Sequence, residues 1–278
     1  MLILHAPAKI NWFLKVLEKR EDGYHNIYSV MQPLRLHDVL TFERQARGIT
    51  IRTDLELEVE DNLIYKAAIA LKDKTSYRGG AIITLTKRIP LQAGLGGGSS
   101  DAATTLAGLN RLWELRLDKE ELSSISSLIG SDMPFFIHRR LSVAEGRGEI
   151  ITPLDTMTRP VSILIVKPAF GVSTPVAYRN VRVFSERDLS LENSLINALK
   201  KGDLRPLKNS LVNDLEGPVF HLYPELARLK REILDSGAIS ALLCGSGSAL
   251  FGVFSCKEDA GRAASRFGGY WNAVTETL

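Results

Sequence analysis

The chain has 278 residues, which is enough for two domains or for one large α/β unit, and we favour two domains. Hydrophobic residues make up 45% of the chain and charged residues 24%, as is usual for globular proteins. The formal net charge is only +3. This argues against a nucleic-acid-binding protein, because such proteins carry an excess of basic residues on one face.

The N-terminus and the two cysteines are typical of a cytoplasmic protein. "MLILHAPAKINWFL" has neither the basic start nor the cleavage site of a signal peptide. Cys244 and Cys256 form no CxxC pair, so neither a disulfide framework nor a zinc site is expected. The longest uncharged run, from Ser236 to Cys256, is interrupted by glycines and serines, and we interpret it as strand, loop and strand instead of a membrane span.

The opening third of the chain is rich in β-forming residues. "MLILHAPAKINWFLKVLEK" favours strand on both sides of the Ala6–Pro7 pair, and a turn leads to strand-like segments in "REDGYHNIYSVMQPLRLHDVLTFE". "DNLIYKAAIALKDKT" has apolar residues at helical spacing, and the β-branched run "GAIITLTKRIP" predicts a strand. This strand leads into the glycine-rich loop "PLQAGLGGGSS".

A helix is predicted directly after this loop. Its apolar positions recur at helical spacing, and they are Ala102, Leu106, Leu109 and Trp113. The candidates for its N-cap are Ser99, Ser100 and Asp101. "KEELSSISSLIG" predicts a second helix that ends at Gly130, and Pro134 in "SDMPFF" leads us to expect an aromatic strand there. "SVAEGRGEIITPL" predicts a hairpin that turns at Gly146 to Gly148.

The strand pattern restarts at "RPVSILIVKPAF", after a polar segment between Pro153 and Pro160. We therefore expect two domains, 1–155 and 156–278. In the second half, the predicted helices are Leu191–Lys201 and Pro224–Ser236, and the predicted strands are Ala241–Cys244 and Ala249–Phe254. This alternation predicts an α+β layer with a sheet on one side and helices on the other.

The glycine-rich loop is the strongest functional signal. A strand, then Gly94, Gly96, Gly97 and Gly98, then a helix would present backbone N–H groups and a positive helix end to an anion, most simply a phosphate. The alternative is a structural turn that lets strand and helix pack closely. A Walker loop is excluded because no Gly-Lys-Ser/Thr follows, and Ser99 stands where a dinucleotide fingerprint requires its third glycine.

Two charged residues are candidates for catalysis. Lys9 and Asn11 occupy alternate positions of the first strand, so their side chains point to the same side; alternatively, Lys9 protects an edge strand from aggregation. Asp132 in "IGSDMPFF" follows a helix end and is flanked by apolar residues, which suits a general base. Alternatively, Asp132 is a capping or turn residue.

Two further segments have both a functional and a structural interpretation. In "REDGYHNIYSV", Tyr24 could stack on a planar ring while His25 reads its edge, or the segment is an ordinary turn with a half-buried tyrosine. The turn in "LLCGSGSALFGVF" could close over a ligand, or it is a plain hairpin between two apolar strands.

Together these residues resemble the kinases of galactose, homoserine, mevalonate and phosphomevalonate. The phosphate loop of that superfamily reads Pro-x-x-x-Gly-Leu-Gly-x-x-Ser, and "PLQAGLGGGSS" matches it from Pro90 to Ser99. The resemblance narrows to the 4-diphosphocytidyl-2-C-methyl-D-erythritol kinase family, through "PAKINWFL", "RxDGYH" (Arg20 to His25), "EDNL", "GLGGGSSDAA" and "GSDMPFF". It extends over almost the whole chain.

The resemblance implies an α+β, two-domain small-molecule kinase fold. The N-terminal ATP-binding domain would resemble domain 2 of ribosomal protein S5 and carry the phosphate loop and the catalytic residues, and the C-terminal domain would be a ferredoxin-like α/β sandwich that completes the substrate cleft. The implied reaction is transfer of the γ-phosphoryl of ATP to the 2-hydroxyl of 4-diphosphocytidyl-2-C-methyl-D-erythritol. Asp132 would accept the hydroxyl proton, and Lys9 would orient that carboxylate and stabilise the forming alkoxide.

The resemblance also implies two binding sets. The ATP-binding set is Asn62, Pro90, Leu91, Gln92, Ala93, Gly94, Leu95, Gly96, Gly97, Gly98, Ser99 and Ser100, with Lys66 near the adenine side. The set that binds the cytidine substrate is Asn11, Tyr24, His25, Thr174 and Tyr178, in which Tyr24 and Tyr178 would form an aromatic sandwich. Mg²⁺ is expected, and its candidate ligands are Ser99, Ser100 and Asp132.

Two positions depart from the family pattern. Tyr178 stands where phenylalanine is also found, and Ser248 occupies the place of a frequent proline.

Two alternative functions remain at this stage. The chain could be another small-molecule kinase of the superfamily, such as a mevalonate or homoserine kinase, or a nucleotide-binding relative without turnover. The presence of both Lys9 and Asp132 argues against the second.

Overall fold

The computed structural model of the chain describes residues 1–54, 62–155 and 159–278. Its strands are β1 (Leu2–Lys19), β2 (His25–Gln45), β3 (Ile49–Arg52), β4 (Gly80–Thr86), β5 (Ser142–Glu145), β6 (Ile150–Pro153), β7 (Ser162–Lys167), β8 (Val212–Asn213), β9 (Ser240–Leu243), β10 (Leu250–Phe254) and β11 (Trp271–Glu276). Its helices are α1 (Leu63–Thr75), α2 (Gly97–Leu112), α3 (Lys119–Ser127), α4 (Met133–His138), α5 (Thr174–Arg179), α6 (Leu189–Lys201), α7 (Leu207–Ser210), α8 (Glu216–Leu222), α9 (Pro224–Asp235) and α10 (Lys257–Ala264). Within the described ranges, no helix has the length and apolar character that a membrane crossing requires.

The chain forms two compact units, each assembled from several segments. The first unit contains Met1–Ala8, Leu36–Pro90 and Gly96–Arg139, and the second contains Lys9–Arg35, Leu91–Leu95 and Arg140–Leu278. The long strands β1 and β2 therefore contribute to both units. The expected boundary after residue 155 adjoins residues 156–158, which lie outside the described residues, and it stays a prediction. The first two residues of "EDNL" also lie outside the described residues.

In the first unit, a small sheet is joined by helices α1 to α4. Strand β4 pairs in parallel with β3 and antiparallel with the second half of β2, where Val39 is opposite Thr86. Helix α1 begins after Asn62, whose Oδ1 accepts a hydrogen bond from the Ile64 N–H at 2.9 Å. Of its predicted apolar positions Leu63, Ala67, Ala70 and Leu71, Ala67 and Leu71 are buried and the other two are half-buried, and the helix predicted for this segment is confirmed.

Two local predictions for the first unit were wrong. Helix α2 begins at Gly97 instead of at the serines, because Gly96 adopts a left-handed conformation (φ 70°) and takes the N-cap position without a side-chain cap. "SDMPFF" is not a strand, since Met133 to His138 form helix α4 with Pro134 in its first turn. Proline is compatible with that position, where its missing N–H would have no helical partner in any case.

In the second unit, four antiparallel strands form a sheet in the order β11-β7-β10-β9. With the helices between them in the chain, this is the β-α-β-β-α-β order of a ferredoxin-like domain. The predicted hairpins at "SVAEGRGEIITPL" and "LLCGSGSALFGVF" are confirmed, because β5 pairs with β6 and β9 pairs with β10. Strand β1 pairs in parallel with β8, and β2 pairs with β5.

The core of the second unit lies between this sheet and helix α9. Leu226, Leu229 and Ile233 of α9 pack with apolar side chains of β7, β9 and β10. The helices and strands predicted for the second half are found within one or two residues of their expected ends. The run from Ser236 to Cys256 contains β9, a loop and β10, as expected.

Candidate active site

Lys9 is a buried lysine with a fixed side chain. Only 4% of Lys9 is exposed, and its Nζ donates a hydrogen bond to Asn11 Oδ1 at 2.7 Å. The Asn11 amide in turn donates to Ser29 Oγ at 2.7 Å, and the Ser29 hydroxyl donates to the Phe13 carbonyl at 2.7 Å. This burial contradicts the interpretation of Lys9 as a solvent-exposed edge-strand residue, because a protective charge must reach water. The prediction that Lys9 and Asn11 share one side of the strand is confirmed.

The first half of the glycine-rich loop, from Leu91 to Leu95, is held by backbone hydrogen bonds within the second unit. The Leu95 carbonyl accepts from Lys9 N at 2.9 Å, and the Gln92 carbonyl accepts from Ser248 N at 3.1 Å. Gly94 has φ +73°, and a Cβ built on it would lie 1.7 Å from the Cys244 carbonyl oxygen. The loop therefore rests directly on the backbone of the Cys244–Ala249 turn.

Ser248, at the position where the kinases that this chain resembles often have proline, also contributes to this packing. Its hydroxyl is fully buried and donates a hydrogen bond to the Phe170 carbonyl at 2.6 Å. The next segment of the chain contacts the loop too, since Val172 N donates to the Gln92 carbonyl at 3.4 Å. A proline has no hydroxyl, so at this position it could not make the hydrogen bond that joins the Cys244–Ala249 turn to Phe170.

The second half of the loop is the start of helix α2. The first intrahelical bond runs from Ser100 N to the Gly96 carbonyl at 2.9 Å. The N–H groups of Gly97, Gly98 and Ser99 therefore precede the helical hydrogen-bond ladder and point along the positive end of the helix. A helix start of this kind is a general site for phosphate.

Beneath this helix start lies a buried charge cluster that the sequence analysis missed, formed by Asp38, Lys87 and Asp101. Lys87 Nζ donates to Asp38 Oδ2 at 2.6 Å and to Asp101 Oδ2 at 2.7 Å. Asp38 Oδ1 also accepts the N–H groups of Arg88 and Ile89, at 2.6 and 2.8 Å. The cluster thus ties β2, the end of β4 and the first turns of α2 together. The only signal in the sequence was the lysine of "TKRIP" before the loop.

The burial and the charges of this cluster shift the pKa of Asp101. Burial raises the pKa of Asp101 to about 7, against the opposing effect of Lys87 and with a further increase from Asp38. Two carboxylates share one lysine, so a proton on Asp101 would make the cluster neutral.

Among the described residues, Asp101 Oδ1 and the Ser100 hydroxyl are buried without a hydrogen-bond partner. Such atoms cost free energy until a ligand, water or ion satisfies them.

Asp132 lies at the start of helix α4, where it occupies the N-cap position. Its side chain makes no capping hydrogen bond to the helix, which argues against the interpretation that it only caps. The side chain is half-buried. Asp132 belongs to the first unit and Lys9 to the second, and the expected pairing of the two stays a prediction.

The residues expected at the cytidine end lie in the second unit. The rings of His25 and Tyr178 lie 5.3 Å apart between centroids, and burial lowers the pKa of His25, so its imidazole is neutral near pH 7. Thr174 Oγ1 and Ser246 Oγ are 2.8 Å apart. Tyr24 is 53% exposed, and the Arg147 guanidinium lies 5.0 Å from its ring centroid.

The structure brings some of the candidate residues together within the second unit. Lys9 lies with Asn11, and His25 lies with Tyr178. Asn62 uses its Oδ1 to cap α1, so a contact with ATP would fall to its side-chain NH₂ group. The sandwich of Tyr24 with Tyr178 and the adenine contact of Lys66 stay predictions.

Comparisons with known proteins identify the family of the chain. The family model described as "GHMP kinases N terminal domain" matches residues 62–140, and "GHMP kinases C terminal" matches residues 195–273. The 4-diphosphocytidyl-2-C-methyl-D-erythritol kinase of Thermodesulfovibrio yellowstonii is 46% identical over 284 residues, which cover 100% of this chain and 98% of the relative. The protein of the same name from Caldanaerobacter subterraneus subsp. tengcongensis is 40% identical, over 100% of this chain and 97% of the relative.

A solved structure is similar over its full length. The crystal structure of a 4-(cytidine 5'-diphospho)-2C-methyl-D-erythritol kinase superposes with a TM-score of 0.86 at 35% identity, covering 99% of each chain. The two matching kinase domains and this similarity confirm the two-domain α+β kinase fold expected from the sequence.

Proposed function

Because the chain belongs to the 4-diphosphocytidyl-2-C-methyl-D-erythritol kinase family of the GHMP kinases, we propose that it transfers the γ-phosphoryl group of ATP to the 2-hydroxyl of 4-diphosphocytidyl-2-C-methyl-D-erythritol. The products are the 2-phosphate and ADP, in the non-mevalonate route to isoprenoid precursors. The observation that carries the proposal is the 46% identity with a relative of that name over the whole chain.

We assign the transfer chemistry to Asp132 and Lys9. The substrate hydroxyl gives its proton to the Asp132 carboxylate while its oxygen bonds to the γ-phosphorus, and the bond from that phosphorus to ADP breaks. Lys9 is supported as the orienting cation by its burial and by the Asn11 side chain that fixes its Nζ. A positive charge held in place before the reaction stabilises the forming alkoxide without reorganisation.

The triphosphate is assigned to the glycine-rich loop, Pro90 to Ser100, with Asn62 nearer the base. Its support is the helix start at Gly97, whose leading N–H groups have no partner within the helix. Mg²⁺ fits the same end, because the Ser100 hydroxyl is a buried oxygen without a hydrogen-bond partner in the described part of the chain. When bound, Mg²⁺ would neutralise phosphate charge, with Ser99, Ser100 and Asp132 as its candidate ligands.

Few protein ligands for the metal are expected. Over residues 1–54, 62–155 and 159–278, no group of three or more His, Cys, Asp or Glu side chains could hold a metal ion. This is the usual situation for Mg²⁺ that arrives with nucleotide phosphates, since it keeps several waters and takes one or two protein ligands.

The cytidine diphosphate end of the substrate is assigned to Asn11, Tyr24, His25, Thr174 and Tyr178. The support is the contact of the His25 and Tyr178 rings and the exposure of Tyr24, which leaves part of its ring accessible for stacking. We further propose a cytoplasmic location with small-molecule substrates and neither nucleic-acid nor membrane partners. The two cysteines are free thiols, as a reducing compartment would keep them.

The test is an assay of ADP release by the wild-type protein and by Asp132→Asn. We expect turnover with 4-diphosphocytidyl-2-C-methyl-D-erythritol, and none with mevalonate or homoserine. Asp132→Asn keeps the size of the side chain but cannot accept the proton, so kcat should fall by at least the roughly 10²–10⁴-fold that a general base contributes. Binding of ATP, measured by calorimetry, should change little. Wild-type turnover in the variant would exclude Asp132 as the base, and a preference for mevalonate would overturn the substrate assignment.

A further inference from the structure

Phe184 is a large apolar side chain that the site described so far does not use. It lies in the segment between α5 and α6, and 41% of it is exposed. Its neighbour Val183 is 82% exposed. The Phe184 ring lies against His25, with 5.9 Å between the ring centroids and an angle of 42° between the planes. Because aromatic side chains commonly line ligand sites, an exposed ring beside a residue assigned to substrate binding is available to the same ligand.

The segment that carries Phe184 is anchored to the strands beside the site. Ser185 N donates to the Val16 carbonyl at 2.9 Å, and Lys15 Nζ donates to the Glu186 carbonyl at 2.7 Å. These two bonds hold the residues directly after Phe184. The position of the ring is therefore set by the backbone on its C-terminal side.

Arg187 adds a stronger anchor to the same segment. Its guanidinium lies 3.8 Å from the centroid of the Tyr28 ring, and it pairs with the buried Glu192 at 2.7 Å and with Glu145 at 3.1 Å. Tyr28 follows His25 on β2, so the anchor and the contact with His25 are on the same strand. Ordering a loop costs conformational entropy, which these contacts offset.

Two rings thus contact the same imidazole. Tyr178 approaches His25 with 5.3 Å between the centroids, and Phe184 approaches it at 5.9 Å. Both are within the range of aromatic pairs that contribute to stability. The pair restricts the orientation of the His25 ring, which is assigned to the cytidine end of the substrate. Phe184 is partly exposed, so part of a ring that contacts His25 is accessible to a ligand.

We propose that Phe184 is a further substrate-binding residue, which covers the cytidine moiety on the side of His25 and helps to set the specificity for a pyrimidine nucleotide. The inference rests on the proposed function, because the site of cytidine is the one assigned there. The ligand class is a cytidine 5'-diphosphate group, and the interaction is apolar contact and stacking with the ring of Phe184.

The experiment compares the wild-type protein with Phe184→Ala, Phe184→Leu and the matched control Val183→Ala. Calorimetry gives the Kd for CDP, and steady-state assays give kcat and the KM values for the cytidine substrate and for ATP. Phe184→Ala should raise the CDP Kd and the substrate KM about tenfold, as loss of one stacking contact does. For Phe184→Leu, the CDP Kd and the substrate KM should lie between those of the wild type and Phe184→Ala. For Val183→Ala, both should equal the wild-type values. The KM for ATP and the kcat at saturation should stay within about twofold. The lost contact stabilises the bound cytidine substrate and the transition state equally, so the barrier between them does not change.

A second variant tests the anchor of the segment. Arg187→Met leaves the Phe184 side chain unchanged but removes the contacts that hold its segment, so it should raise the CDP Kd in the same direction. In the double variant Phe184→Ala with Arg187→Met, the two effects on the CDP Kd should be less than additive, because both act through the same contact of Phe184 with CDP. If Phe184→Ala binds CDP as well as Val183→Ala does, or if its KM for ATP rises equally, the inference is wrong while the proposed function stands. If the wild-type protein binds no CDP, the proposed function fails first and the inference with it.

Discussion

Replacing Gly94 by alanine tests the close packing of the glycine-rich loop on the Cys244–Ala249 turn. Gly94 has φ +73°, a conformation that costs other residues about 1–2 kcal/mol. The new Cβ would lie 1.7 Å from the Cys244 carbonyl oxygen and 2.9 Å from Gly247 N, so two stretches of backbone would have to separate by about 1.3 Å. Overpacking of this kind costs about 1–3 kcal/mol, and no rotamer can relieve it because the neighbour is backbone. We expect a loss of about 3 kcal/mol in the free energy of unfolding.

Differential scanning calorimetry measures this loss. For a chain of this size, each kcal/mol lowers the Tm by about 2–4 °C, so Gly94→Ala should melt at least about 6 °C below the wild type. Gly98→Ala is the matched control. Gly98 lies in helix α2, and a Cβ added to it would meet only Leu63 Cδ1, at the ordinary contact distance of 3.5 Å. Helix propensity predicts that this control gains about 0.5–1 kcal/mol. A wild-type Tm for Gly94→Ala, or an equal loss in both variants, would refute the packing argument.

Two further predictions concern the substrate site and the buried cluster. Tyr24→Ala should weaken CDP binding by about 1–3 kcal/mol, the scale of one base stack, with no change for ATP, and equal losses for both ligands in calorimetry would exclude the stack. Asp101→Asn should gain stability relative to the wild type as the pH rises from about 4 to 7, and unfolding by urea at several pH values measures this. In the wild type, the pKa of Asp101 is raised from 3.8 to about 7, so the folded protein binds more protons than the unfolded chain in that range and loses stability as the pH rises. A difference between the two proteins that does not change with pH would contradict the raised pKa.

Sequence patterns predicted the elements whose signals are local. Helix α1 follows from the Asn62 cap and the apolar spacing after it, and the β5–β6 hairpin follows from the glycines between its strands. The shared side of Lys9 and Asn11 follows from the period of two in a strand, and the hydrogen bond of 2.7 Å between them agrees. Each of these inferences depends only on residues that are neighbours in the chain.

The failed predictions depend on information that local patterns lack. Asp38 and Lys87 are 49 residues apart, and nothing in the chain marks Asp38 as the partner that also accepts two N–H groups after β4. The proline of "SDMPFF" favours a strand only if it breaks helices at every position, whereas the first turn of a helix accepts Pro134. Serine is a common N-cap, but glycine in a left-handed conformation moved the start of α2 to Gly97.

The glycines of the glycine-rich loop have two different physical causes, and the ligand proposed for the loop enters only one of them. Gly94 is required by its positive φ and by the Cys244 carbonyl, and Gly97 by Lys87 Nζ, which would lie 2.9 Å from an added Cβ. Both would be needed in a protein that bound no nucleotide. Gly98 is exposed, lies in the first turn of α2 and has room for a methyl group, so packing within the protein does not explain its lack of a side chain. Because alanine there would favour the helix, we expect its absence to reflect the ligand proposed for this loop, a triphosphate that would approach the leading N–H groups.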